Sequence, residues 1–301
     1  MMKLMKLGLG RKVRNFTLVT TAVQCLMSGT IAYGVDLQPH DFVPAPAGTQ
    51  IGLLYYLGST SDTYIDGHGH EVDDSSLDTN VGLLRYVYYF DIAGMRADVN
   101  VLQPFGSLNN MRVGGSDIDT KDFSIGDVTL VGTLWPLNDP EHERYFAIAT
   151  YLTLPTGNYS ASEPGLGSNR WSLSIQPAYL FKIAPQWSVD LAGDVTFYGD
   201  NNDGPGGADL EKDPSFTMLG WLNYEASAKT MFSLGFTTTR GGEESVKGVD
   251  GSDVKSTTIR AAWSQMLSPT TQFLMEIGHD VDAENTFKRD ATLTFRLAKF
   301  F

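Results

Sequence analysis

Residues 171–181 read Trp171-Ser-Leu173-Ser-Ile175-Gln-Pro177-Ala-Tyr179-Leu-Phe181, and after a short break residues 187–197 read Trp187-Ser-Val189-Asp-Leu191-Ala-Gly193-Asp-Val195-Thr-Phe197. In both, most alternate side chains are large and apolar while those between are small or polar. This is the two-residue period of a β-strand with one apolar and one polar face. Working outward, Met95-Arg-Ala97-Asp-Val99-Asn-Val101 carries Arg96, Asp98 and Asn100 on its polar face, and Ala291-Thr-Leu293-Thr-Phe295-Arg-Leu297-Ala-Lys299-Phe-Phe301 repeats the pattern at the end of the chain. Extended over the sequence, the alternation predicts strands at 50–58, 79–90, 95–104, 123–135, 144–155, 170–182, 187–198, 215–225, 231–239, 256–267, 271–281 and 289–301. Clusters of Gly, Asp, Asn, Ser and Pro separate them.

A soluble two-sheet protein also alternates, so the period alone does not choose between water and lipid. The connections do. They run long at 59–78, short at 91–94, long at 105–122, short at 136–143, long at 156–169 and short at 183–186. The rhythm continues through 199–214, 226–230, 240–255 and 268–270 to an intermediate 282–288. Tight periplasmic turns and longer outer loops are the signature of an antiparallel up-and-down barrel in the bacterial outer membrane. An even strand count returns both ends to the periplasmic side, where the terminal aromatic Phe301 suits the signal read by the barrel-assembly machinery. Inside a bilayer every backbone polar group must be paired within the protein, so only a closed sheet survives there. The apolar faces traced above carry no mid-strand Asp, Glu, Lys or Arg, and Lys299 falls at the interface, where a cation costs little. Tyr55, Tyr56, Tyr86, Tyr88, Phe90, Trp171, Trp187, Trp263 and Phe301 supply interfacial girdles.

The first residues differ from the rest. Lys3, Lys6, Arg11, Lys12 and Arg14 precede an apolar stretch from Phe16 to Ile31 that ends in Ala32-Tyr33-Gly34, the form of a secretory signal peptide over 1–34 cleaved after Gly34. The competing reading is an uncleaved N-terminal helix. Beyond residue 34 no run approaches the roughly 18 apolar residues of a membrane-spanning helix. The single cysteine, Cys25, lies within the leader, so the mature chain has no disulfide. Loss of the five leader cations leaves 17 basic against 35 acidic residues, a net charge of −18, which disfavours nucleic acid. Residues 35–49 are expected to be a periplasmic N-terminal segment and 50–301 the barrel.

Several segments resemble one family in order along the chain. They are Asp41-Phe-Val-Pro-Ala-Pro-Ala-Gly-Thr49, Leu53-Leu-Tyr-Tyr56, Gly126-Asp127 in the fourth strand, Trp135-Pro-Leu-Asn-Asp-Pro140 and Tyr151-Leu-Thr-Leu-Pro-Thr-Gly157. Gly167-Ser-Asn-Arg-Trp171, Gly199-Asp-Asn-Asn202, Leu267-Ser-Pro269 and Gly278-His-Asp-Val281 with Glu284-Asn285 continue the match. The chain is similar to outer-membrane channels named after the meta-cleavage pathway of phenol degradation. That resemblance implies a channel for small molecules, with aromatic compounds suggested by the name, and brings no catalytic residue.

From the residues themselves, the polar faces are expected to line the lumen with Arg85, Arg96, Asp98, Asn100, Asp127, Asp190, Asp194, Asn223, Glu225, Arg260, Gln272, Glu276 and Arg296. Two readings stand: opposite charges facing across an open pore, or a salt-bridged filling. Acid concentrates in the outer loops, at Asp62, Asp66, Glu71, Asp73 and Asp74 and at Asp200, Asp203, Asp209, Glu211 and Asp213, either as solvated loops or as holders of divalent cations shared with lipopolysaccharide. Asp62, Asp66, His68, His70 and Glu71 are too loosely spaced for a metal site, and Asp200-Asn-Asn-Asp-Gly204 lacks the spacing of a calcium loop, so no metal or cofactor is expected. Two further classes compete with a channel for small-molecule solutes. One is a structural or adhesive barrel without a pore. The other is a lipid hydrolase, for which neither the five histidines nor any G-x-S-x-G motif supplies a nucleophile.

Overall fold

A computed structural model describes residues 37–301. The leader read at 1–34 and its cleavage position after Gly34 lie outside the described residues. Twelve long strands follow one another: β1 (Gln50–Ser61), β2 (Ser76–Ile92), β3 (Met95–Val113), β4 (Thr129–Asp139), β5 (Arg144–Thr153), β6 (Ser172–Ala184), β7 (Trp187–Tyr198), β8 (Ser215–Ser227), β9 (Thr230–Gly241), β10 (Val254–Ser268), β11 (Thr271–Glu284) and β12 (Ala291–Phe300). Each pairs antiparallel with its sequence neighbour, and β1 pairs with β12 from Ile51 opposite Phe300 to Thr60 opposite Ala291, which closes the sheet on itself. No edge is left, as hydrocarbon surroundings require.

The tight ends are short because their residues accept unusual backbone angles. Between β2 and β3 the turn is Ala93-Gly94, with φ of 51° and 80°, the all-positive pair that matches strand twist in a two-residue hairpin. At the opposite end the β2–β3 hairpin continues well past the membrane: 17 and 19 residues against the roughly 9–11 that span a bilayer. Two small sheets cover that end. One joins Asn201–Gly204, Ala208–Lys212 and Glu244–Val246; the other joins Thr286–Lys288, Thr63–Ile65 and Glu71–Val72.

The pleat divides side chains between lipid and lumen. Leu54, Leu84, Val99, Val101, Leu130, Leu134, Ile148, Leu173, Leu191, Phe236 and Leu297 stand exposed on the outer wall, an apolar belt that would aggregate in water and belongs in lipid. Tyr56, Tyr86, Tyr88, Trp171, Trp187 and Trp263 also face outward. Tyr55 does not: the odd residues of β1 point inward, and Tyr55 is buried with its ring 6.0 Å from the Arg296 guanidinium. The fourth strand also differs from its sequence range of 123–135. Ser124–Ile125 pairs with β3 at Phe105 and Gly106, the chain then leaves the sheet at Gly126–Val128, and β4 begins at Thr129.

Candidate functional site: the barrel interior

A twelve-stranded barrel is wider than its own inward side chains fill. Here the remainder is taken up by the chain's own N-terminal segment. Leu37 and Phe42 are buried, Val43 and Ala45 pack beside them, and together they contact inward residues from opposite parts of the wall, including Tyr55, Leu83, Tyr89, Trp135, Tyr145, Leu180 and Leu219. The segment that the sequence reading places in the periplasm therefore has its described part inside the barrel. Its apolar residues explain this, since burying Leu or Phe is worth roughly 1.5–3 kcal/mol apiece.

Because the segment adopts no strand or helix, its backbone polar groups need partners from the wall. Two tryptophans provide them: Trp221 Nε1 donates to the Leu37 carbonyl at 2.9 Å and Trp135 Nε1 to the Phe42 carbonyl at 3.0 Å. The His40 backbone N–H donates to Asp190 Oδ2 at 2.8 Å, and its ring Nε2 meets Ser188 Oγ at 2.8 Å. His40 holds a positive φ of 64°, a conformation kept only where surrounding contacts fix it. At the rim, Arg96 donates to the Ala45 carbonyl and pairs with Asp91 at 2.7 Å.

The charge pattern centres on Asp41. Its carboxylate accepts from Arg296 Nη1 at 2.6 Å and lies 3.6 Å from Arg85 Nη1. Arg296 also donates to Gln272 at 2.7 Å, and Arg85 Nε donates to Asn100, which in turn donates to Asp98. Further round the wall Asn223 donates to Asp190 at 2.9 Å, Gln176 donates to Asp194 at 3.2 Å, and Arg260 lies 3.5 Å from Glu276 with its guanidinium 4.4 Å above Trp221. Thus Arg85, Arg96, Asp98, Asn100, Asp190, Asp194, Asn223, Arg260, Gln272, Glu276 and Arg296 all turn inward, and Glu225 sits half-buried near the turn end of β8. These inward charges engage one another and the segment.

Asp127 is the exception. It lies in the break before β4, and its carboxylate accepts from the backbone N–H groups of Gly157 and Ser168 and from the Ser168 hydroxyl at 2.5–2.8 Å. It ties the 156–169 loop down instead of facing the lumen. Sequence reasoning missed Asp41, His40, Trp135 and Trp221 as interior partners. The available signal was the presence of Leu37 and Phe42 in a stretch assigned to water.

The outer end is organised differently. Tyr64, Leu77, Val81, Leu108, Met111, Val113, Leu166 and Phe287 form a second apolar cluster beneath the loops, with Tyr64 and Phe287 edge to face at 5.3 Å. Arg170 and Glu244, in the loops, make a buried ion pair at 2.7 Å, and burial pushes the Glu244 carboxyl up despite the arginine. Arg112 pairs with Asp74 and Asp117, and holds the Asp117 carboxyl below its ordinary range. Asp66 accepts from the backbone N–H groups of His68 and His70, a turn contact. No three His, Cys, Asp or Glu side chains converge as a metal site among the described residues.

A closed sheet with an apolar exterior and a polar interior defines an outer-membrane β-barrel of the channel class. The family model described as "Putative MetA-pathway of phenol degradation" matches residues 61–297, and the chain belongs to that family. An outer membrane channel from Pseudomonas putida F1, known from a crystal structure, is 30% identical, with the match covering 88% of this chain and 100% of that one at a TM-score of 0.81. The transport unit of the autotransporter AIDA-I from Escherichia coli, 8% identical over 94% of this chain and 98% of that one at a TM-score of 0.53, shares the fold. Among curated proteins no sequence matches.

Proposed function

We propose that the protein is a passive outer-membrane channel for small, apolar or aromatic molecules, closed in this conformation by its residues 37–49. The observation that carries this reading is the separable filling. A scaffold barrel is filled by its own wall residues, whereas here an irregular segment of chain is held in the lumen non-covalently, through one ion-paired carboxylate, two tryptophan hydrogen bonds and two large apolar side chains. The apolar cluster at the outer end and the family membership support hydrophobic solutes.

Lipopolysaccharide contacts the outer loops in this reading, and the assembly machinery reads Phe301, whose ring stands exposed on the outer wall while its backbone N–H donates to Gln50. Ser188 and His40 sit at hydrogen-bonding distance, but Asp190 accepts from the His40 backbone and not from its ring, so it does not hold the imidazole as the carboxylate of a hydrolase triad does. Liposome swelling tests the proposal. Purified protein should admit phenol-like aromatics, and deletion of residues 37–47 should raise permeation of small sugars from background to a clear signal. An unchanged sugar impermeability after that deletion would refute the plug.

A further inference from the structure

We propose that Arg85 and Arg296 form a carboxylate-binding site in the lumen, occupied here by Asp41 and taken by a small aromatic or aliphatic acid when the N-terminal segment withdraws. The inference rests on the channel reading above and names a solute class for it.

Three features point to a built anion site. First, two guanidiniums from separate strands converge on one carboxylate, at 2.6 and 3.6 Å. Arg85 and Arg296 are placed there by β2 and β12 and not by the segment, so they stay when it leaves. Second, departure of Asp41 leaves them short of negative charge. The other partners of Arg296, Gln272 and Tyr55, bring no carboxylate, and Arg85 reaches Asp98 through Asn100, so one carboxylate remains near two cations. Two like charges in a partly desolvated wall demand an anion. Third, the site is underused. Asp41 bonds Arg296 through Nη1 but only approaches Arg85, at 3.6 Å; a free acid approaching along the lumen can centre between the two guanidiniums and hydrogen-bond both. Tyr55, with its ring 6.0 Å from Arg296, adds an aromatic wall for the body of the acid.

The site is also reachable. Side-chain exposure is 20% for Arg85 and 15% for Asp41 but 4% for Arg296, so a solute meets Arg85 first and reaches Arg296 as the segment withdraws. The acidic outer loops set a selection against large polyanions, and a small monoanion is the class that passes them and still satisfies two arginines.

Calorimetric titration of benzoate into the full-length mature protein in detergent tests the site, with benzyl alcohol as the neutral counterpart. Asp41→Ala should bind benzoate at least about tenfold more tightly than the wild type and than the double variant Asp41→Ala/Arg296→Gln, as expected for loss or gain of a charge-assisted hydrogen-bonded pair. Benzyl alcohol should not distinguish the three. Retention of the heat-modifiable gel shift shows that each barrel is folded, and Asp41→Asn, which keeps the side-chain shape, replaces Asp41→Ala if that variant does not fold. Equal benzoate binding by wild type and Asp41 variants, or binding that survives Arg296→Gln, overturns the site. Bilayer currents separate this from the parent reading. A conducting Asp41 variant without benzoate preference defeats the site alone, whereas absence of current in every variant defeats the channel and leaves the binding isotherm to decide the site.

Discussion

The middle of the lumen and its outer end are both packed, but by different means. In the middle, polar inward residues such as Asp190, Asn223, Arg260 and Arg296 are matched by a segment that enters from the chain terminus and holds on through Asp41, Leu37 and Phe42. At the outer end, Leu77, Val81, Leu108, Met111 and Val113 belong to the wall, and the long β2–β3 hairpin and the loops close over them. The first filling can leave without breaking a strand ladder; the second cannot. A movable gate and a fixed outer rim, past which solutes still enter, are thereby built into one barrel from the same alternating strands.

The largest effect should come from Phe42→Ala. Truncating a buried Phe typically costs about 3–5 kcal/mol, and here that cost weakens docking of the segment and leaves the barrel ladder intact. Planar-bilayer recordings should show frequent openings in the variant, with its heat-modifiable gel shift retained. Leu166→Ala, in the outer cluster, should cost about 2–4 kcal/mol yet leave conductance at the wild-type level. If Leu166→Ala opened the channel as Phe42→Ala does, the distinction between gate and rim would fail.

The legibility of the sequence follows the same division. Wherever a strand runs straight, its period of two assigns each side chain to lipid or lumen, and Ser188, Asp190 and Asp194 in β7 could be placed inward from their spacing alone. Two kinds of feature escape that rule. Asp127 has inward parity on a continuous strand, but the ladder stops at Gly126–Val128, and parity counted across a break has no meaning. Residues 37–49 have no period to read, and Pro44 and Pro46 remove donors a ladder would need. Only their apolar content hinted at burial, and composition does not say against which wall. Tyr55 shows the remaining hazard: in Tyr55-Tyr56 one ring must face each way, and aromatic identity suits a membrane girdle as well as a guanidinium.

A smaller effect separates the gate's polar anchors from its apolar ones. Trp135→Phe keeps most of the ring in place against Tyr89, whose centroid is 5.8 Å away, but removes the N–H that satisfies the Phe42 carbonyl. Leaving that buried carbonyl unpaired should cost about 1–3 kcal/mol, so the open probability should rise by less than in Phe42→Ala. Hydrogen exchange should show faster labelling of the segment's amides without change in β4. A rise equal to that of Phe42→Ala would mean that the backbone bonds, and not apolar burial, hold the gate.

The smallest effect is expected at the exposed rim. Arg112 bridges Asp74 and Asp117 at 2.8 Å each, but all three side chains are in water, where screening leaves such pairs little to contribute. Arg112→Ala should therefore leave thermal stability and conductance near the wild type and loosen only the turn at Ser116–Asp117, read as faster exchange of those amides. The pair nevertheless informs the comparison. The rim owes its fixed shape to Leu108, Met111 and Val113 beneath the arginine, so removing the surface charge should not convert it into a second gate. A new conductance state in Arg112→Ala would place the outer end under electrostatic control and make both ends of the lumen movable.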